Sequence, residues 1–223
     1  MTVTIAANVY RPNIRALALA QGWDGGSPIE LVVNAGVYVV ALEIANVPHD
    51  VLTLTNRGTI GGAMGGITTG LYTRVRIRVA NQGTIFGCGG LGGVGSSVSV
   101  CWGGACHSAS GGSGGLGGGF WTPNSWTTIN YQQQGSPGAT GEVNSRPSSG
   151  YPGDNGSDLY GGDGGNGGAV GQVGEGGGSE RAYGSYDWYN NTWPGPGGAA
   201  GNYLDGNAYV TWIATGTRLG NVV

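Results

Sequence analysis

Two stretches of this 223-residue chain gather side chains suited to recognition. "FWTPNSWTTINYQQQ" (120–134) and "SERAYGSYDWYNNTWP" (179–194) carry Trp121, Trp126, Tyr131, Tyr183, Tyr186, Trp188, Tyr189 and Trp193 among Asn, Ser, Thr and Asp. Rigid amphipathic rings give contact area at small entropic cost, and short polar groups give adaptable hydrogen bonds, which is the chemistry of a binding surface. The same rings could instead cap a structure short of apolar core. These eight are the candidate binding residues.

Other candidates point to weaker chemistry. Cys88, Cys101 and Cys106 stand near His107, but C-x4-C-H is not a standard zinc spacing; buried thiols, a Cys101–Cys106 disulfide and a metal cluster remain open, buried thiols being the simplest. "VRIRV" puts Arg74, Arg76 and Arg78 on one strand face, either solvated, lining an interface, or meeting phosphate groups of a glycan. "GGSGG" (111–115) matches G-x-S-x-G, yet inside a glycine tract the match is nearly free and the strand-turn-helix context is missing. A phosphate-binding loop needs lysine, which the chain lacks, and His49 and His107 sit in no catalytic constellation. The expectation is a protein that is not an enzyme and has no cofactor or metal. A net charge of −3 with nine Arg and twelve acids gives no nucleic-acid footprint. Without a signal peptide or an apolar run of about 18 residues, a soluble chain made in a cytoplasm is expected.

These side chains must be positioned by unusual elements. Charged residues are only 9%, against about 25% in ordinary domains, while glycine numbers 51. Only Gly22, Gly25, Gly26 and Gly36 fall before Gly58, so the sequence predicts a β-rich N-terminal module over 1–57 and a glycine-rich domain over 58–223. In the module, Asn13 is a candidate N-cap for a short helix through Ala20. "IELVV" and "VYVVALEI" read as strands joined by a hairpin connection at Asn34–Gly36. "VLTLTNRGTIGG" and "VRIRVANQGTIFG" repeat one unit, which predicts stacked similar layers.

After Phe86 glycine recurs every third residue in six segments: 89–95, 111–119, 135–141, 150–156, 161–178 and 195–201. That period fits neither helix nor strand, but it fits the extended left-handed helix of polyproline II type. Such helices have no internal hydrogen bonds, so burying them requires pairing with neighbours, and glycine on the inward faces lets backbones touch. The fold class expected is therefore mainly β and irregular: a small β-rich module followed by a bundle of polyglycine II helices with interhelix loops. "WTTINY" and the terminal "NAYVTWIATGTRLG" are candidates to hold its ends. Collagen needs a longer, proline-rich register, and the calcium-binding nonapeptide pattern fails at Asn166 and Gly168. If the stretch from 150 to 177 is one segment, loops 120–134 and 179–194 share a tip; if two, they lie at opposite ends. A shared tip is the expectation, because binding energy concentrates in clustered rings.

Tandem glycine-every-third segments with variable aromatic loops, "NRGTIGG", "NQGTIFGCGGLGG" and the ending "NAYVTWIATGTRLG" resemble the distal tail-fibre adhesins of T-even bacteriophages and glycine-rich modules of other phage tail proteins. The resemblance covers about residues 56–220. It implies a non-enzymatic receptor-binding protein of the virion at a fibre tip, with the eight rings as receptor-binding residues. The implied partners are a bacterial surface receptor (an outer-membrane protein or lipopolysaccharide) and a tail-fibre or tail-tip protein, with a homotrimer as an open assembly state. Residues 1–55 show no visible match to the T-even attachment module, which leaves open the C-terminal module of a longer tail protein. A polyglycine II antifreeze protein or a structural coat protein are the alternatives.

Overall fold

Alternating Val, Leu and Ile put every second side chain on one side of a strand. In the computed structural model, which describes residues 1–122 and 125–223, those sides face a common interior. The chain opens with β1 (Thr2–Ile5), β2 (Val9–Tyr10) and helix α1 (Ile14–Ala20), followed by β3 (Ile29–Val33), β4 (Tyr38–Val40) and β5 (Leu42–Ile44). Next come β6 (Leu52–Asn56), β7 (Thr59–Gly61), β8 (Leu71–Thr73), β9 (Ile77–Asn81) and β10 (Thr84–Phe86). Consecutive strands do not pair; each lies parallel to a strand one turn away, so that the chain coils around three sheets. Val3, Leu31, Leu54 and Val79 are register partners, all buried, and each such side chain stabilises the coil by about 1.5–3 kcal/mol.

The repeated N-x-G-T-I unit is a corner of this coil. Buried Asn56 donates to Asn81 Oδ1 at 2.8 Å, and Asn81 donates to the Thr215 carbonyl at 2.8 Å, so stacked turns are tied side chain to side chain. The glycine two residues on lies against the turn below: a Cβ at Gly83 would stand 2.1 Å from the Gly58 carbonyl oxygen. The stacked layers predicted from the repeat are present. The hairpin expected at Asn34–Gly36 is not, because that connection is also a corner and sends β3 and β4 into different sheets. Helix α1 forms as read, with Asn13 accepting from the Ala16 amide at 2.9 Å.

After Phe86 the chain leaves the coil. The excursion contains β11 (Val98–Trp102), β12 (Ala105–Ala109), β13 (Gly119–Trp121), β14 (Asn130–Gln132), β15 (Val143–Arg146), β16 (Ser157–Tyr160), β17 (Arg181–Gly184) and β18 (Trp188–Asn191). It returns through β19 (Asn202–Asp205), β20 (Val210–Ala214), β21 (Thr217–Leu219) and β22 (Asn221–Val222), which pair in parallel with β8, β9, β10 and β19. The coil thus draws strands from both sides of residue 57 and from the C-terminal 22 residues, and the glycine-rich part is inserted in its fourth turn.

Six glycine segments, 87–96, 111–118, 133–142, 161–168, 172–178 and 195–201, are neither α-helix nor β-strand. Their backbones bond from segment to segment at every third residue. Gly89, Gly92 and Gly95 donate to Gly118, Gly115 and Gly112, and Gly162, Gly165 and Gly168 donate to Ser96, Gly93 and Gly90. This connectivity makes two layers of three, with 111–118, 87–96 and 195–201 in one and 133–142, 161–168 and 172–178 in the other. Consecutive segments run antiparallel. The stretch 161–178 is two segments rather than one: it folds back at Ala169–Gln172, where Gly171 has φ +72°, and Glu175 and Gly178 donate to the carbonyls of Asn166 and Asp163. Residues 150–156, expected as another segment, form a loop with Gly150, Gly153 and Gly156 all at positive φ.

Candidate functional site

With six alternating segments, the loops sort by parity. Loops 97–110, 143–160 and 179–194 meet at the end far from the coil, whereas 119–132 and 169–171 lie against it. The expected shared tip for loops 120–134 and 179–194 is therefore corrected, and the extra turn at Ala169–Gln172 is the reason: it adds one segment to the count.

At the coil end, Tyr131 packs with Phe86, Phe120 and Tyr38, at ring centroids 5.3, 5.5 and 6.0 Å apart. Trp126 stacks flat on Tyr10 at 4.4 Å. These rings, with Val40, Ala63, Ile129 and Val170, form a second core that fastens the bundle to the coil. Trp121 is part-exposed on the same end. Residues 123 and 124 of this loop lie outside the described residues.

At the far end two three-stranded antiparallel sheets face each other. One has strand order β12-β11-β18 and the other β15-β16-β17, and they enclose Val98, Val100, Ala109 and Leu159. Tyr183, Tyr186, Trp188, Tyr189 and Trp193 are all exposed here, Trp193 at 86%. Trp188 is the register partner of Cys101, beside the Cys101–Cys106 disulfide that closes the β11–β12 hairpin; Gly103 and Gly104, at φ +55° and +85°, make its turn. The cysteines thus resolve the open alternatives against three buried thiols: two are bridged, and only Cys88 is free and buried.

Polar groups rigidify these loops. Arg146 and Asp154 form a buried two-pronged ion pair at 2.5 and 2.9 Å, and Arg146 also donates to the Ser185 carbonyl at 2.6 Å. The Arg146 guanidinium and the Ser149 and Gly156 amides hold the Asp154 carboxyl far below the ordinary carboxylate range. Partial burial pushes the Glu180 carboxyl up, but donors from Ser96, Tyr189 and Asn191 outweigh it and hold it at about 2. Burial and the Glu180 bond in turn push the Tyr189 hydroxyl to about 12.

The family model for phage tail fibre adhesin Gp38 matches residues 1–223. The chain belongs to this family. The adhesin is accordingly a component of the virion's tail fibre, and the family match takes in the N-terminal residues outside the resemblance read from the sequence. It is similar in fold to a chain in the crystal structure of the gp37-gp38 adhesin tip complex of the bacteriophage S16 long tail fiber. The identity is 18% and the TM-score 0.50, covering 100% of this chain and 82% of that one. No curated protein matches the adhesin in sequence.

Sequence reasoning missed part of the adhesin's far end. On β15, β16 and β17 the residues Val143, Tyr160 and Arg181 stand side by side in register, and Ser145, Asp158 and Tyr183 form the next row on the same exposed face. Period-two alternation in "VNSR", "SDLY" and "RAYG" was the available signal, in runs of only four residues. The Arg74, Arg76 and Arg78 set splits: Arg74 pairs with Asp205 and Arg76 with Asp50, each at 2.8 Å on the coil.

Proposed function

We propose that this adhesin attaches a phage to its host as a non-catalytic receptor-binding protein. The coil joins the fibre, and loops 97–110, 143–160 and 179–194 touch the receptor with Tyr183, Tyr186, Trp188, Tyr189 and Trp193. The observation that carries the reading is the parity of the bundle, which brings three loops and these exposed rings together at the end farthest from the coil. A tail-fibre protein is the partner that fits the coil, since the structurally similar chain comes from a gp37-gp38 tip complex. The receptor is a bacterial outer-membrane protein or lipopolysaccharide. Trp121, Trp126 and Tyr131 act in this reading at the base rather than on the receptor.

We also read the six glycine segments as polyglycine II helices. The three-residue step of their hydrogen bonds and the absence of room for a Cβ support this. The function of such a bundle is to hold loops rigidly at a distance with few side chains. The test is direct: purified adhesin, fluorescently labelled at its N-terminus, should bind host cells saturably and block adsorption of its phage. Labelled adhesin that neither binds nor competes would refute the reading.

A further inference from the structure

The exposed face of β15-β16-β17 borders a hollow that its own side chains line. Val143, Tyr160 and Tyr183 are 66, 39 and 56% exposed, and Tyr160 and Tyr183 meet edge to face at 6.1 Å. Their rings, with the ends of the neighbouring glycine segments, border a hollow of about 710 Å³, a size that suits a small ligand. A second hollow of about 270 Å³ continues past Tyr183.

The charges on this face are unequal in their partners. Asp163 already accepts from the Gly141 amide at 2.8 Å, and Asp158 from the Ser145 hydroxyl at 2.8 Å. Arg181 has no ion pair or side-chain hydrogen bond among the described residues. Between 87 and 201 the sequence holds only one other arginine, Arg146, which is buried on Asp154. Arg181 is thus the exposed cation of the far end, set directly opposite Tyr160 in register.

We propose that this hollow binds an acidic saccharide, a sugar ring bearing a carboxylate or a phosphate. The apolar C–H face of the ring packs on Tyr160 and Tyr183, and the planar guanidinium of Arg181 takes the acid group through paired hydrogen bonds. Backbone carbonyls at the glycine-segment ends and the second oxygen of Asp163 accept from ring hydroxyls. A purely apolar occupant would leave the Arg181 guanidinium facing it without a partner, which is costly.

The proposal rests on the reading of the far end as receptor surface, and its test separates the two. The whole adhesin is titrated with glucuronic acid, glucose 6-phosphate and glucose, following the Tyr160 and Tyr183 ring signals by NMR, with cell attachment measured in parallel. Both rings should shift with at least one acidic sugar, and glucose should bind about tenfold more weakly or worse, the loss expected for one charge-assisted bond. The preferred probe then tells whether carboxylate or phosphate is the acid recognised. Arg181→Gln should bring the acidic probes down to the glucose level, and Tyr160→Ala should weaken all three, both variants keeping the parent's circular dichroism. Equal binding of glucose and the acidic probes, acidic binding that survives Arg181→Gln, or binding of none of them overturns the proposal. Should cells be bound normally while no sugar binds, only this inference falls and a protein receptor is indicated. Adhesin that binds the acidic sugar but not cells supports the inference and refutes the broader reading.

Discussion

The Gly165 amide donates to the Gly93 carbonyl at 2.8 Å, joining the two layers of the bundle through backbone alone. That spacing leaves no room for side chains. A Cβ at Gly92 would stand 1.9 Å from the Gly165 carbonyl oxygen, whereas one at Gly176 would meet nothing nearer than 3.7 Å.

Gly92→Ala should therefore destabilise the adhesin. Overpacking costs about 1–3 kcal/mol, more than the roughly 0.4–1 kcal/mol gained by restricting the unfolded chain. Gly176→Ala has only the gain and should be neutral or slightly stabilising. Denaturant melts of the two variants check both signs, and equal midpoints would contradict the tight-backbone account.

How much of this was legible in the sequence depends on the residue. Asn13 announced α1 because it does its work locally, and Asn56 and Asn81 with their following glycines announced stacked turns because the same unit recurs in the chain. Asn34–Gly36 reads as a hairpin because a glycine corner in a coil and a hairpin turn use the same residues; only the strand's destination differs. Gly171 hid the fold-back at Ala169–Gln172, since it keeps the three-residue phase running through the turn. That one turn decides the parity, and so whether Trp188 shares the end that holds Trp126 or lies opposite it. Tyr160 and Arg181 escaped notice because their strands are too short to show a period.

The cysteines give a counting test. Burial pushes the Cys88 thiol up to about 12, keeping it protonated and unreactive, and Cys101 and Cys106 are bridged. A thiol reagent should find none of the three cysteines in native adhesin, one after unfolding, and all three after unfolding with reductant. Two reactive thiols in the native protein would mean the hairpin is open.

Acid should loosen the far end through Glu180. Its carboxyl lies at about 2 when folded, against 4.5 ordinarily, so it contributes stability that is fully present above 4.5 and is lost as pH falls towards 2. The parent's melting temperature should drop across that window by more than that of Glu180→Gln, which starts lower at neutral pH. Parallel pH profiles for the two proteins would remove Glu180 from the account.

The central claim is that the two ends of the bundle do different jobs, and host-cell attachment by single-tryptophan variants tests it most directly. Trp121 and Trp188 are similarly exposed, at 39 and 48%, so removing either ring costs packing to a similar degree. Labelled Trp188→Ala adhesin should bind host cells at least about tenfold more weakly than the parent, as expected for a ring central to a binding surface. Trp121→Ala, altered at the base, should bind as the parent does. Attachment lost with Trp121→Ala and kept with Trp188→Ala would contradict the account.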